Sequence, residues 1–586
     1  MAYFAEKTNA TDQQLERIVA AQGAAILKTE KDRAGCPVIW VSKTSLMVVL
    51  KFLKEADGLE FNFLADLTAY DDLGSGEDGS GRFVLVYNLF SLRNLNRIRI
   101  KLRLKDQESA PTAVPLWAAA NWAEREVFDL FGIKFDGHPD LRRILLDIRW
   151  EGHPLRKDYP LRKYQLFTTP EQIPMELLRP APGEVKSVED SDEIFDDSRM
   201  YVNLGPSHPA THGTLRVMAR LNGETIEKSI SEMGYLHRAK EKIAESTTYH
   251  KFIPHTDRMN YCSALANNVV YTMGVERLMG LEIPERAKYI RTICVEIARI
   301  IDHLICVGIN AVDLGAFSFF LYGFHQREEA YTLIEMLCGA RLTTSYTRVG
   351  GLAIEPPPEF LPALKKWIEN FEPVIAEMDK LLTTNKIWMD RTVGIGAFSK
   401  EQALAYSFTG PCARASNINI DLRRDQPEPL LKYDAVSFDV PIGRNGDVYD
   451  RYLIRMEEIR QSVSILKQLV EKCPTTGSVW VDDKRVVIPP KERVHNSMEA
   501  LIHHFKFFME GFDVPPGEAY TCIEGPNGEV GFYIQSKGGP RPWRTRVRSP
   551  SFWMYQSLDP MIKGQKIADM VASLGSINII AGELDR

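Results

Sequence analysis

Apolar and polar positions recur along the chain with two periods, one helical and one extended. Thr11-Asp-Gln-Gln14 has the form of a capping box, and Leu15, Ile18 and Val19 follow at helical spacing until Gly23. Val38 to Val41 reads as a short strand, Thr44 to about Ala56 as a helix ended by Asp57-Gly58, and Arg82 to Leu92 as a strand. The run from Arg97 to Lys105 alternates strictly, which predicts a strand with one aliphatic, buried face and one basic face turned to water. Residues 71–81 are Gly, Ser and acidic residues for the most part and predict a flexible hairpin loop. Strands mixed with two or three helices predict a small mixed α/β domain.

The pattern breaks between about Gln165 and Met200. Pro170, Pro174, Pro180 and Pro182 precede an acidic run from Glu189 to Asp197, and no apolar period survives. The chain is therefore expected to divide into a domain over 1–165, a linker over 166–198 and a second domain over 199–586. The second part opens with Leu215–Leu221 and Thr225–Ile230 around Asn222-Gly223, a hairpin signal. Pro284 is expected at the first position of a long helix, in which Ile290, Cys294, Ile297, Ile301 and Leu304 give a buried face to about Val307. Further helices are expected at Tyr331–Leu337 and Tyr452–Leu469, and strands around Glu529–Gln535 and Trp543–Arg548. The fold class expected is α+β, with a small N-terminal domain and a larger helix-rich domain carrying peripheral β-sheets.

Composition removes several functions. A chain of 586 residues exceeds one core. Its net charge of −6 lacks any polybasic stretch, which argues against nucleic acid as a partner. No two of the eight cysteines are separated by two residues, so zinc-ribbon, ferredoxin and thioredoxin patterns are absent. Reduced, buried thiols are expected instead, as in a reducing, cytoplasmic compartment. The N-terminus has no signal-peptide h-region. The most apolar run, Ala311 to Phe324, contains Asp313 and is shorter than the ~20 residues a membrane span needs. A soluble chain docking on a membrane protein is expected. No dinucleotide-binding glycine fingerprint precedes a clear strand–helix unit.

Candidate chemistry concentrates in the loop from Asn203 to Gly213. His208 and His212 stand four apart among Gly205, Pro206, Pro209 and Gly213, which break both helix and strand. Taken alone, the pair reads as a metal site, a proton-donor site or two ordinary loop histidines. Asp257-Arg258-Met259-Asn260-Tyr261 and Val312-Asp313-Leu314-Gly315-Ala316 follow, and Tyr261 alone reads as a packed core tyrosine. In the first part, Glu124, Arg125, Glu126 and Asp129 lie in the run from Trp122 to Leu145; Glu124 and Glu126, two apart on a helix, read as interface and ion-pairing residues.

Together these motifs resemble the fused C and D subunits of bacterial NADH:quinone oxidoreductase, respiratory complex I. The run Glu124-Arg-Glu-Val-Phe-Asp-Leu-Phe-Gly132, with Asp140-Leu-Arg-Arg-Ile-Leu145 and Gly152-His-Pro-Leu-Arg-Lys-Asp-Tyr159, is similar to the C-subunit signature, which implies an assembly role. The loop with His208, His212 and Gly213, the Tyr261 segment and the end Ser576 to Arg586 are similar to the D subunit. The resemblance implies a larger domain like the nickel–iron hydrogenase large subunit. It further implies a quinone headgroup pocket, with Tyr261 and His212 as proton donors, Asp313 behind His212, and His208 and Gly213 in the pocket loop. Arg238 and Arg258 would face the terminal iron–sulfur cluster of a neighbouring subunit, or else form surface or interface salt bridges. The chain itself is then expected to bind no metal or iron–sulfur cluster. NADH oxidation falls to another subunit, and a membrane-embedded neighbour completes the quinone channel at the cytoplasmic face of the bacterial inner membrane. Three positions depart from the family pattern: Asn260 and Glu583 replace aspartates, and Thr343 replaces a histidine found in many relatives. Two other readings are a hydrogenase-related large subunit, which needs two Cys-x-x-Cys pairs, and a pure assembly scaffold, which needs neither the loop nor Tyr261.

Overall fold

A computed structural model describes residues 9–74, 81–168 and 200–586. Most of the expected 166–198 linker and of the 71–81 loop lies outside the described residues. The first part is built on five strands: β1 (Ile26–Lys31), β2 (Pro37–Val41), β3 (Phe63–Asp71), β4 (Phe83–Ser91) and β5 (Asn96–Leu104). They form one sheet in the order β1-β2-β5-β4-β3, antiparallel except for the β2–β5 pair. The Thr11 capping box forms, at the start of the helix Asp12–Gln22. Helix Leu46–Glu55 buries Leu46, Val49, Leu50 and Leu53, one apolar stripe, against the sheet.

The β5 alternation is present, but the expected wet face is not. Ile98, Ile100, Leu102 and Leu104 fill the core, and Arg97, Arg99 and Lys101 on the opposite face are buried as well. Arg99 Nη1 lies 2.8 Å from Asp32 Oδ2 and 2.9 Å from Glu518 Oε1, and Lys101 Nζ lies 2.6 Å from Glu518 Oε2. Arg97 Nη1 is 3.0 Å from Glu529 Oε1. Glu518 and Glu529 sit on strands Gly517–Gly525 and Gly528–Ser536 of the second part, so the basic face meets acids from more than 400 residues away rather than water.

The second part is organised by the 29-residue helix Glu285–Asp313. At ~1.5 Å per residue it is about 43 Å long. Pro284 occupies its N-cap, one position earlier than expected, and Asp313 is its last residue. Most of the helix is buried on all sides, because its polar residues are paired in place: Arg291 with Glu276 at 2.6 Å, His303 with Glu458 at 2.9 Å, and Glu296 with the Tyr433 and Ser462 hydroxyls, each at 2.6 Å. Helices Phe317–Cys338 and Val448–Lys472 pack along it. The segment expected at Tyr331–Leu337 is only the end of the first of these. Its earlier turns are apolar all round and show no period, and Phe317, Leu321 and Tyr322 there are exposed.

Two three-stranded antiparallel sheets flank the helices. One joins Met200–Leu204, Arg216–Asn222 and Thr225–Glu232, with the Asn222-Gly223 turn where the dipeptide predicts it. The other joins Gly517–Gly525, Gly528–Ser536 and Arg544–Arg548. The two parts of the chain share an apolar core: Trp122 meets Phe552 and Tyr555 edge-on at 5.9 and 5.6 Å. Glu126 takes Arg546 Nη1 at 2.5 Å and Arg586 Nη2 at 2.8 Å, so it pairs as expected, across the seam. Glu124 has no arginine or lysine partner among the described residues, and His138 Nε2 stands 3.9 Å from its Oε2. Its carboxyl accepts from the Thr112 hydroxyl and the Ala113 N–H, both at 2.6 Å, and burial pushes its pKa up to about 8. Asp129 Oδ2 accepts three successive N–H groups, Ile144 to Leu146, at 2.9–3.0 Å, which fixes the Asp140–Leu145 loop. Among the described residues, no helix is long and apolar enough to cross a membrane.

Candidate functional site

The Asn203–Gly213 loop is shaped by its own backbone. Gly205 has φ +92°, and a Cβ there would run into the Leu215 carbonyl oxygen. His208 caps the short 3₁₀ turn Pro209–Thr211, its Nδ1 accepting the Ala210 N–H at 3.2 Å. The buried Thr211 hydroxyl lies 2.8 Å from His208 O and 2.9 Å from Gly213 O, tying the loop's two ends. His212 follows in the left-handed region, φ 53°. The two imidazoles have different partners.

His212 Nε2 is in hydrogen-bond contact with Asp313 Oδ2, from 101 residues away. Both side chains are mostly buried, 15% and 17% exposed, with an edge left open. The helix Ile567–Ile577 comes close behind the ring: a Cβ on Gly575 would lie 3.1 Å from His212 Cε1 and 3.0 Å from Asn310 Oδ1. Gly213 packs where a Cβ would lie 3.1 Å from Ala581 Cβ.

Tyr261 opens a second 3₁₀ turn, Tyr261–Ser263, capped by Asn260, whose Oδ1 accepts the Cys262 and Ser263 N–H groups at 3.1 and 3.3 Å. The ring is 42% exposed and borders a small cleft with Tyr331, Arg341 and Thr344. Among the described residues its hydroxyl makes no hydrogen bond, and none joins it to His212 or Asp313. Burial raises its pKa first, with Cys262 and Asp302 adding to the effect. The turn and the loop meet the same C-terminal segment: a Cβ on Gly582 would approach Arg258 O and Met259 O at 2.8 and 2.7 Å, just after the Ala581 contact with Gly213. Nothing in the local pattern of residues 575–583 marked that hub.

Arg238 and Arg258 are exposed and form no ion pair among the described residues. They share their surroundings with Lys240 and His255, which no sequence motif marked. Lys240 is buried, its Nζ donating to Arg258 O at 2.7 Å and Gly582 O at 3.1 Å. Burial, then the charges of Arg238 and Arg258, push its pKa down to about 8. His255 is lowered by burial and then by Lys240, Arg258 and Arg238. Arg238, Lys240 and Arg258 thus form one cationic region, and their charges disfavour a proton on His255 beside them. Asp257 accepts from the Ser345 hydroxyl and from its N–H at 3.2 Å, which brings the Thr343 segment to this region. Among the described residues, no group of three or more His, Cys, Asp or Glu is placed to hold a metal ion.

The sequence was compared with known proteins. The profile of the respiratory-chain NADH dehydrogenase 30 Kd subunit matches residues 39–165, and that of the 49 Kd subunit matches residues 313–586. The NADH-quinone oxidoreductase C/D subunit of Bdellovibrio bacteriovorus is 44% identical over 552 residues, covering 94% of this chain and 95% of its own length. The C/D 2 subunit of the same enzyme in Aquifex aeolicus is 40% identical, covering 93% of this chain and 94% of its own. The C/D subunit of Methylococcus capsulatus is 39% identical, covering 94% of each. With both subunit profiles in one chain and full-length likeness to fused relatives, the chain belongs to the C/D subunit family of NADH-quinone oxidoreductase, respiratory complex I, and acts in that enzyme as part of the complex.

Proposed function

We propose that this chain forms much of the quinone headgroup pocket of the complex, with His212 and Tyr261 as proton donors to the reduced quinone. The observation that carries this reading is the His212–Asp313 contact, made by two motifs that only folding brings together. Reducing a quinone to a quinol takes two electrons and two protons, and charge develops on the carbonyl oxygens as electrons arrive. Donors already in place stabilise that charge. The Asp313 carboxylate accepts the His212 Nε2–H, which leaves Nδ1 as the nitrogen that binds a proton and passes it on. Tyr261 offers a hydroxyl with no partner among the described residues and an exposed ring face for a headgroup. His208 and Gly213 shape the loop.

The cationic region of Arg238, Lys240 and Arg258 suits the terminal iron–sulfur cluster of a neighbouring subunit. Positive charge there stabilises the reduced cluster and raises its potential. Residues 1–165 serve assembly, and 166–198 link them to the quinone-site domain over 199–586. This reading needs two neighbours at the cytoplasmic face of the bacterial inner membrane, one that carries the cluster and one in the membrane that completes the channel. A hydrogenase-like reaction is disfavoured because nickel would need two Cys-x-x-Cys pairs and the eight cysteines stand singly. A pure scaffold leaves the His212–Asp313 pair unexplained.

Tyr261→Phe removes one hydroxyl and little volume. The variant complex is expected to assemble and to pass electrons from NADH to an artificial acceptor, while quinone reduction falls by a factor on the order of 10²–10⁴. Full quinone reductase activity in Tyr261→Phe defeats the assignment. His212→Ala is expected to act in the same direction.

A further inference from the structure

Behind Tyr261 the fold buries two carboxyl groups that this chemistry leaves unused. Asp302 lies on helix Glu285–Asp313 and Glu583 on the short helix Ala581–Leu584, and they are 0% and 1% exposed. Asp302 accepts from the Asn260 amide, Nδ2 to Oδ2 2.9 Å, and from the Asn578 amide, Nδ2 to Oδ1 2.6 Å. Asn578 Nδ2 also lies 2.5 Å from Asn527 Oδ1. Glu583 Oε1 accepts from the Ser549 hydroxyl at 3.2 Å and the Ser551 N–H at 3.3 Å, while Oε2 has no hydrogen-bond partner among the described residues.

The cations around the pair hydrogen-bond elsewhere, although the charges of Arg455 and Arg299 still act to lower Asp302. Arg299 donates to Glu524 O and Gly525 O, Arg455 to Arg451 O, and Lys240 to Arg258 O and Gly582 O. His303 is turned to Glu458. Cys262 and Cys306 complete the titratable surroundings, and burial raises both thiols. A carboxylate without a cation partner in the interior is costly and holds a proton instead. Burial accordingly pushes Asp302 up to about 6 and Glu583 up to about 7, with the Asp302 charge adding to the shift of Glu583.

Asn260 joins these acids to Tyr261. Its oxygen caps the turn that carries Tyr261, and its Nδ2 faces Asp302, with Glu583 also in reach. Asn260 and Glu583 are two of the positions at which this chain departs from the family pattern, and they stand at the same place in the fold. An aspartate at 260 would make a third acid; the amide keeps a donor there.

We propose that Asp302 and Glu583, bridged by Asn260, form a buried proton-holding site whose charge sets the acidity of Tyr261, and that all three are positioning residues for quinone reduction. The inference rests on Tyr261 as a proton donor. With the site protonated, no negative charge opposes loss of the Tyr261 proton. With the site ionised, the Asp302 charge opposes a tyrosinate and Tyr261 becomes a weaker donor. One proton leaves Tyr261 Oη for the reduced quinone oxygen, one exchanges between the acid pair and solvent, and no electron passes through either acid.

The test is the pH profile of quinone reduction in the intact complex, with transfer to an artificial acceptor as the control for assembly. In the unmodified complex, activity is expected to fall as pH rises through the titration of the pair, between about 6 and about 7. Glu583→Gln removes the acid that titrates second, near 7, and leaves Asp302 alone near 6, so the end of the limb moves down by about one pH unit. Asn260→Asp adds an acid and moves the limb up by about one unit. Opposite movements support the site, since a structural role would lower activity without moving the limb. Limbs that coincide with the unmodified profile overturn it. Should Glu583→Gln not assemble, Asn260→Asp decides alone. Full activity of Tyr261→Phe defeats the quinone-site reading, whereas an inactive Tyr261→Phe with unmoved limbs defeats this inference only.

Discussion

Glu518→Gln is the sharpest test of how the two parts of the chain hold together. Glu518 faces Arg99 at 2.9 Å and Lys101 at 2.6 Å, and its Oε2 also accepts the Tyr533 hydroxyl at 2.6 Å. Burial alone would raise its pKa, but Lys101 and Arg99 hold it down to about 2 from 4.5. Burial holds the Lys101 pKa down even with its partner in place, so leaving it unpaired carries the ~3–5 kcal/mol cost of breaking a buried pair from one side. A depressed carboxylate contributes stability above its unfolded value and loses it as pH falls through the folded value. The contribution is therefore whole at pH 7 and disappears between about 4.5 and about 2. A chain this large does not unfold in two states, so hydrogen exchange at the seam is the appropriate assay. At pH 7, amides of β5 and of Gly517–Gly525 in Glu518→Gln are expected to exchange about 100-fold faster, the equivalent of about 3 kcal/mol. Adding Lys101→Met is expected to recover much of the loss, because Arg99 still has Asp32 at 2.8 Å and no buried charge is left alone. Exchange at the seam within threefold of the unmodified chain would show that the ion pairs contribute little.

The remaining predictions concern the site and its support. Gly575→Ala brings a Cβ to 3.1 Å from the His212 ring; quinone reduction is expected to fall by roughly tenfold with artificial-acceptor activity intact, and an unchanged rate means the ring position does not matter. Deleting residues 1–165 strips Arg546 and Arg586 of Glu126 and Arg544 of the Ala69 carbonyl, so sizing of the truncated complex is expected to show failed assembly rather than slowed chemistry. Thr343 cannot titrate near neutral pH, so the cluster proposed beside this subunit is expected to show little pH dependence of its potential between about pH 6 and 8, and more in Thr343→His. A redox titration slope near ~59 mV per pH unit in the unmodified complex rejects this, and His255, which lies among the same cations, is then the group to replace.

The sequence by itself determined whatever depends on neighbours a few residues away. The Thr11 capping box, the Asn222-Gly223 hairpin, the β5 alternation and the long helix after Pro284 all formed, because caps, turns and periods follow from backbone geometry and side-chain spacing. Motif likeness marked His212, Tyr261 and Asp313. Only the tertiary structure decided what each side chain meets. Alternation showed that Arg97, Arg99 and Lys101 share a face, but whether that face takes water or acids depends on Glu518 and Glu529 arriving from the far end of the chain. Apolar periodicity found the helix Glu285–Asp313 but not that its charged residues are buried in pairs, and it could not follow the start of Phe317–Cys338, where every side is apolar. The same limit hid the acids behind Tyr261. Asp302 is an ordinary residue in the sequence and Glu583 stands out only as a departure from the family pattern; burial around one shared amide, brought about by three distant segments, makes them titratable near neutral pH.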